Sequence, residues 1–240
     1  MKNLLKLLFL IIIFAISSCS RDSEEIILDN PSANLENFDG DFKAKDFETL
    51  EKHGRYFVYS RADVINPILG QTTGNSKLIR GRRGIWTRYR SNVLTSGYVY
   101  TLWWAIWNNP ENCATPGQCI DTDLGNPDTG VEFMYATGRL IRQNGIGTFY
   151  ARLKAGDDSG SINALFGLPS AGGLQKGNTF NAQIDLLLRS HGPAIPGMIY
   201  EQVSGYAGGC TNPFEIPPFT EIPDEEGECA EIEFSVHLVN

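Results

Sequence analysis

The ten residues Tyr98 to Trp107, YVYTLWWAIW, constrain the fold more than any other part of this chain. Almost all are β-branched or aromatic, which favours extended backbone, and both faces of the resulting strand are apolar. Such a strand belongs in the middle of a sheet covered on both sides, or in one whose outer face meets another partner. Thr179 to Arg189 alternates instead. Phe180, Ala182, Ile184, Leu186 and Leu188 face one way, while Asn181, Gln183, Asp185 and Arg189 face the other. Ala230 to Leu238 alternates strictly, so Ile232, Phe234, Val236 and Leu238 are expected to point inward.

Val131 to Thr137 and Gly147 to Leu153 read as two more strands. Asn144-Gly145 between them is a hairpin turn signal, because this dipeptide accepts positive φ. Arg55 to Arg61 and Gly84 to Arg90 add two. Helical spacing is confined to Lys43 to His53, where Phe47 and Leu50 make a short apolar stripe. Seven strands with turns between them predict an all-β fold, a single antiparallel β-sandwich over residues 43–240 with long disulfide-stapled loops. No internal repeat or mid-chain linker divides it. A content of 42% hydrophobic and 11% aromatic residues excludes a disordered chain. The net charge of −8 argues against nucleic acid as a partner.

Residues 1–18 read as a secretion signal. Lys2 and Lys6 precede an apolar run from Leu7 to Ile16. That run is about ten residues, half the roughly 20 needed to span a bilayer. Ile16-Ser17-Ser18-Cys19 follows and resembles a lipobox, in which cleavage leaves a thiol that carries diacylglycerol. Cys19 is therefore the expected lipidation site and membrane attachment, and acyl chains on it anchor a protein that has no spanning helix. Residues 19–42 read as an extended acidic tether. Between Ser20 and Asp41 seven acids face one base, Arg21. Acids placed directly after the lipidated cysteine also resemble the export signal of surface lipoproteins in Bacteroidetes-type bacteria; a plain periplasmic spacer is the alternative. The expected location is the bacterial outer membrane, on its periplasmic or its surface side.

Charge is segregated beyond the tether. Lys43 to Pro213 carries 17 basic and 13 acidic residues, whereas Glu215 to Glu233 has eight acids and no base. Arg80, Arg82, Arg83, Arg88 and Arg90 crowd one stretch. They suit a polyanion such as an acidic glycan. They also suit a solvated hairpin whose arginines alternate outward, or pairing with the acidic tail.

Setting Cys19 aside leaves Cys113, Cys119, Cys210 and Cys229. An even number outside the cytoplasm suggests two disulfides, with three possible connectivities. Cys113–Cys119 and Cys210–Cys229 are favoured, because each pair brackets a loop rich in Pro, Gly and Asn. No CxxC spacing supports a zinc site.

Three segments are distinctive: Tyr100 to Cys113 (YTLWWAIWNNPENC), Arg189 to Gly197 (RSHGPAIPG) and Glu201 to Cys210 (EQVSGYAGGC). Together they resemble a group of exported bacterial proteins that carry no assigned activity, over about Val58 to His237. The resemblance implies one domain, an extracellular setting and cysteine-stapled loops, and it transfers no catalytic residue. A fainter similarity to chordin-type β-sandwich domains bears on fold class alone.

Several residues are candidates for chemistry. His191 and His237 sit at strand ends and could share a metal with a carboxylate if those strands pair. Asp121, Asp123 and Asp128 place oxygens along a loop in a way that suits calcium, although Pro127 and the lack of a Glu at position twelve depart from an EF-hand. No other cofactor is implied. Trp103 and Trp107 share a strand face, with Trp104 on the other, and could stack on sugar; burial of both faces is the competing reading. There is no Gly-x-Ser-x-Gly, no His-Glu-x-x-His and no phosphate loop. The leading functional reading is thus a lipid-anchored binding or structural module. A glycan-binding surface protein using the tryptophans and the arginine-rich stretch is second, and a glycoside-active enzyme using paired carboxylates is third; a glycan or a surface protein is the expected partner.

Overall fold

The computed structural model describes residues 46, 48, 57–142, 144–214 and 218–239. The signal segment, the lipidation site and the tether lie outside them. Of the expected helix Lys43 to His53, only Asp46 and Glu48 are described, and both are helical.

Eight strands form one sheet in which every pairing is antiparallel. They are β1 (Val58–Asn66), β2 (Gln71–Gly81), β3 (Gly84–Ser91), β4 (Tyr98–Trp107), β5 (Val131–Leu140), β6 (Gly147–Lys154), β7 (Gln183–Pro193) and β8 (Ala230–His237). The spatial order is β5-β4-β7-β8-β1-β2-β3-β6. The two outermost strands, β5 and β6, are consecutive in the chain. They are linked by Asn144 and Gly145, both at positive φ (67° and 61°), and they touch, so the sheet curls until it is nearly closed. The antiparallel all-β class is the one expected.

One face of every strand looks into the curl. Leu78, Ile85, Tyr89, Leu102, Trp104, Ile106, Phe149, Ile184, Leu186 and Leu188 pack there as a continuous buried core. The outer face of β4 is buried too, by the loop 108–130, by residues 205–213 and by a short helix α1 (Ile199–Ser204) that packs on β4 and β5. Both faces of the YVYTLWWAIW strand are therefore dry. Helix α1 seats closely: a Cβ on Gly138 of β5 would lie 2.1 Å from the Val203 carbonyl oxygen. Gly138→Ala is expected to cost about 2–3 kcal/mol by overpacking. In a domain of this size that lowers the melting temperature by about 5–10 °C. An unchanged melting curve would mean that α1 does not sit on β5.

Strand β2 and helix α1 were not expected from the sequence, and β1 and β7 extend further toward the C-terminus than anticipated. The larger correction concerns β8. Its inward residues are Glu233, Ser235 and His237, all buried, while Phe234 and Val236 lie half-buried outside and Leu238 is exposed. Register explains the inversion. Leu188 pairs with Glu233 and Arg189 with Glu231, so Ile232 is the extra residue of a bulge and alone of its set joins the core. Strands across the inside of the curl supply the polar partners: Ser91 Oγ and Tyr89 Oη of β3 donate to Glu233 at 3.0 and 3.3 Å. Ser60 and Ser76 lie 2.8 Å from the two ring nitrogens of His237.

Candidate functional site

The three distinctive segments meet on the outer face of β4, β7 and β8. β4 contributes Thr101 and Trp103, β7 contributes Arg189 and His191, and β8 contributes Glu231. Residues 206–210 close over them, pinned by the Cys210–Cys229 disulfide (S–S 2.01 Å). Arg189 is fully buried. Its Nη1 donates to Glu231 Oε1 at 2.9 Å, its Nε to the Tyr206 carbonyl at 2.9 Å and its Nη2 to the Pro213 carbonyl at 2.9 Å. The guanidinium also lies 3.9 Å from the centre of the Tyr206 ring, a cation–π contact. Tyr206 Oη donates to the same Glu231 oxygen at 2.5 Å. Burial, and then Glu231, push the Tyr206 hydroxyl well above its usual range, so it stays a donor.

His191 lies beside this pair with both nitrogens engaged. Nδ1 is 2.8 Å from the Gly208 carbonyl, which can only accept, so Nδ1 carries the proton. Nε2 then accepts from Thr101 Oγ1 at 2.8 Å, and Trp103 Nε1 donates to that same hydroxyl. Burial, and then Arg189, bring the imidazole down to about 3, which keeps it neutral. Nδ1 also stands 3.6 Å from Cys210 Sγ and 3.8 Å from Cys229 Sγ. Above the site an aromatic column runs outward. Trp103 packs edge-on to Tyr206 at 5.4 Å, and Tyr206 stacks on Phe214 and meets Phe166 edge-on. Phe166 and Phe214 are exposed.

The residues singled out in the sequence are distributed as follows. His191 and His237 occupy opposite faces of the sheet, so no metal bridges them. Asp123 is buried and accepts from Ala114 N and Ile120 N at 2.9 and 3.0 Å, one bond to each oxygen. It staples its loop, and the three aspartates do not converge on a point. Trp103 and Trp107 are 2% and 3% exposed. Trp107 packs against the Cys113–Cys119 disulfide (S–S 1.95 Å) and donates to Asp185 Oδ2 at 2.8 Å. Asp185, also held by Gln183, is raised by burial to about 7. It lies four residues along β7 from Arg189, the partner of Glu231, or about 13 Å at about 3.3 Å per residue. That exceeds the carboxyl separations of glycosidases. Glu233 faces the other side of the sheet, and Glu132 holds the loop 161–173 through Ala171 N, Gly173 N and the hydroxyls of Ser161 and Ser170.

The arginine stretch divides. Arg80 points inward and is fully buried, donating to the carbonyls of Thr179, Ala182 and His237 at 2.8–3.1 Å. Arg88 and Arg90 point outward. Register sets Arg61 opposite Lys77, Lys77 opposite Arg88 and Arg88 opposite Tyr150, one cross-strand row with three cations. Arg90 follows in the next row, and Arg152 lies over the Trp86 ring in the row on the other side. Burial, and then Arg88, lower the Lys77 ammonium below its usual range. Arg61, Arg82, Arg83 and Arg90 are exposed.

Comparison of the chain with protein-family models, with curated proteins and with solved structures finds no match.

Proposed function

We propose that this chain is a lipid-anchored, exported binding module, attached to the bacterial outer membrane through Cys19. Its ligand is a polyanion, most simply an acidic glycan, taken on the outer face of β1, β2 and β3. The observation that carries the reading is the cross-strand row of Arg61, Lys77 and Arg88, continued by Arg90. Arg61 and Arg90 are exposed on this face with Arg88 half-buried between them, and planar guanidinium groups match carboxylates in pairs. Tyr59 and Tyr150, half-buried beside these cations, pack with the buried Trp86 and give the face a firm base. Among the described residues no helix is long and apolar enough to cross a membrane, and the anchor reading rests on the lipobox-like Ile16-Ser17-Ser18-Cys19. The buried ionisable groups of the outer-face site are committed to one another, which suits a rigid scaffold.

Two measurements test this. Cys19→Ala should move the protein from the membrane fraction to the soluble fraction. Retention on immobilised polygalacturonate should fall steeply with salt. It should be lost in Arg61→Gln/Arg88→Gln/Arg90→Gln, and neutral dextran should retain neither protein. Equal retention of the triple variant overturns the polyanion reading, and a Cys19→Ala protein that still pellets with membranes overturns the anchor.

A further inference from the structure

We propose that the reduced form of this protein binds zinc at His191, Cys210 and Cys229. These three residues put one ligand atom each within 4.8 Å of one another, the one such group among the described residues. The distances fit a tetrahedral metal. Zinc–sulfur bonds of about 2.3 Å and a zinc–nitrogen bond of about 2.0–2.1 Å require nitrogen–sulfur edges of about 3.6 Å. His191 Nδ1 already lies 3.6 and 3.8 Å from the two sulfurs. Of the three edges, the sulfur–sulfur one must open, from 2.01 Å to about 3.8 Å, a shift of roughly 0.9 Å for each atom.

The site also has an entrance and an outer shell. Cys210 is half-buried and lines an open cleft of about 450 Å³ with Gly209, Thr211, Glu226 and Gly227. The cleft admits the ion and leaves a fourth position for water. Cys229 and His191 form the closed side. Thr101 supplies what a ligating imidazole needs. Its hydroxyl can donate to Nε2, as it does here, or turn and accept from an Nε2–H, which frees the Nδ1 lone pair for the metal.

The chemistry balances with a dithiol reductant. Two electrons and two protons pass to the Cys210–Cys229 bond, which breaks to give two thiols while the reductant closes its own disulfide. Zinc then displaces both thiol protons, and the imidazole proton passes from Nδ1 to Nε2. The hydrogen bond from Nδ1 to the Gly208 carbonyl is exchanged for the metal bond.

The test uses the full chain carrying Cys113→Ser/Cys119→Ser, so that one cysteine pair remains, with Co²⁺ as a spectroscopic probe. After phosphine reduction, one Co²⁺ per chain should bind with a thiolate-to-cobalt charge-transfer band, and Zn²⁺ should displace it. The unreduced protein should show no band. His191→Gln should weaken zinc at least 10-fold, and Thr101→Val, which keeps every ligand, about 10–100-fold. Absence of the band overturns the proposal. So does equal affinity in His191→Gln, or loss of the near-ultraviolet circular dichroism on reduction that zinc does not restore. The parent with all four cysteines, reduced in parallel, should show the same band; a band seen in the parent alone assigns the metal to Cys113 and Cys119 and equally overturns it.

Discussion

Glu231→Ala is expected to cost about 3–5 kcal/mol of folding stability, a large share of the 5–15 kcal/mol that holds a domain together. The mutation leaves Arg189 charged, fully buried and without its carboxylate, and takes away the acceptor of the Tyr206 hydroxyl. Arg189→Met removes the charge but leaves the carbonyls of Tyr206 and Pro213 without their donor. The combination Arg189→Met/Glu231→Ala no longer buries an unpaired charge, so it should lose at least 2 kcal/mol less than the sum of the single changes. Urea unfolding of the four proteins measures this. Additive losses would show that Arg189 and Glu231 are not coupled.

The second large effect is a pair of opposite pH dependences. Burial, and then Arg80, hold His237 at about 3, below its unfolded value of about 6.5. Between those values the unfolded chain binds the proton and the folded one does not. Stability is therefore complete above about pH 6.5 and is lost as pH falls. From pH 7 to 4 the loss from His237 is about 3 kcal/mol. Asp185 has the reverse sign. Its folded value of about 7 lies above the unfolded 3.8, so it favours folding below about pH 4 and loses that advantage as pH rises to 7. The same interval yields about 3 kcal/mol of gain on acidification. The two nearly cancel, while His191 adds to the first and Glu233, raised by burial, to the second. Single variants expose what the whole protein hides. His237→Gln should lose about 3 kcal/mol less than the parent between pH 7 and 4, and Asp185→Asn about 3 kcal/mol more. Parallel curves for all three proteins would refute the assignment.

The fold was legible where one physical effect dominated. The YVYTLWWAIW strand could only be central, and the Pro- and Gly-rich loops marked the cysteine pairs. Strand β2 was hidden because it is polar on both faces. Ser76 and Arg80 point in, Asn75 and Lys77 point out, and Leu78 and Ile79 are too short a run to signal a strand. β8 misled for a related reason. Alternation gives the period of a strand but not which face is buried, and here Glu233 and His237 are matched by side chains on β1, β2 and β3, far away in sequence. The candidate site was visible as three unusual segments but not as one place. Arg189 finds Glu231 across a register shift, and Tyr206 reaches both from a loop. Neither spacing nor composition carries that information.

The position of β8 has a consequence for how the molecule is made. It is the last of the eight described strands in sequence, yet it sits between β7 and β1 and joins β5-β4-β7 to β1-β2-β3-β6. Until residues 230–237 are in place, the chain is two partial sheets with open edges at β7 and β1, each a template for pairing with another copy. Joining Ile65 to Phe234 closes a loop of most of the domain, so the rewarding contact comes only after a large entropic cost, which makes assembly slow. A chain built this way cannot complete itself progressively from the amino end. It depends on being kept unassociated until its final strand arrives.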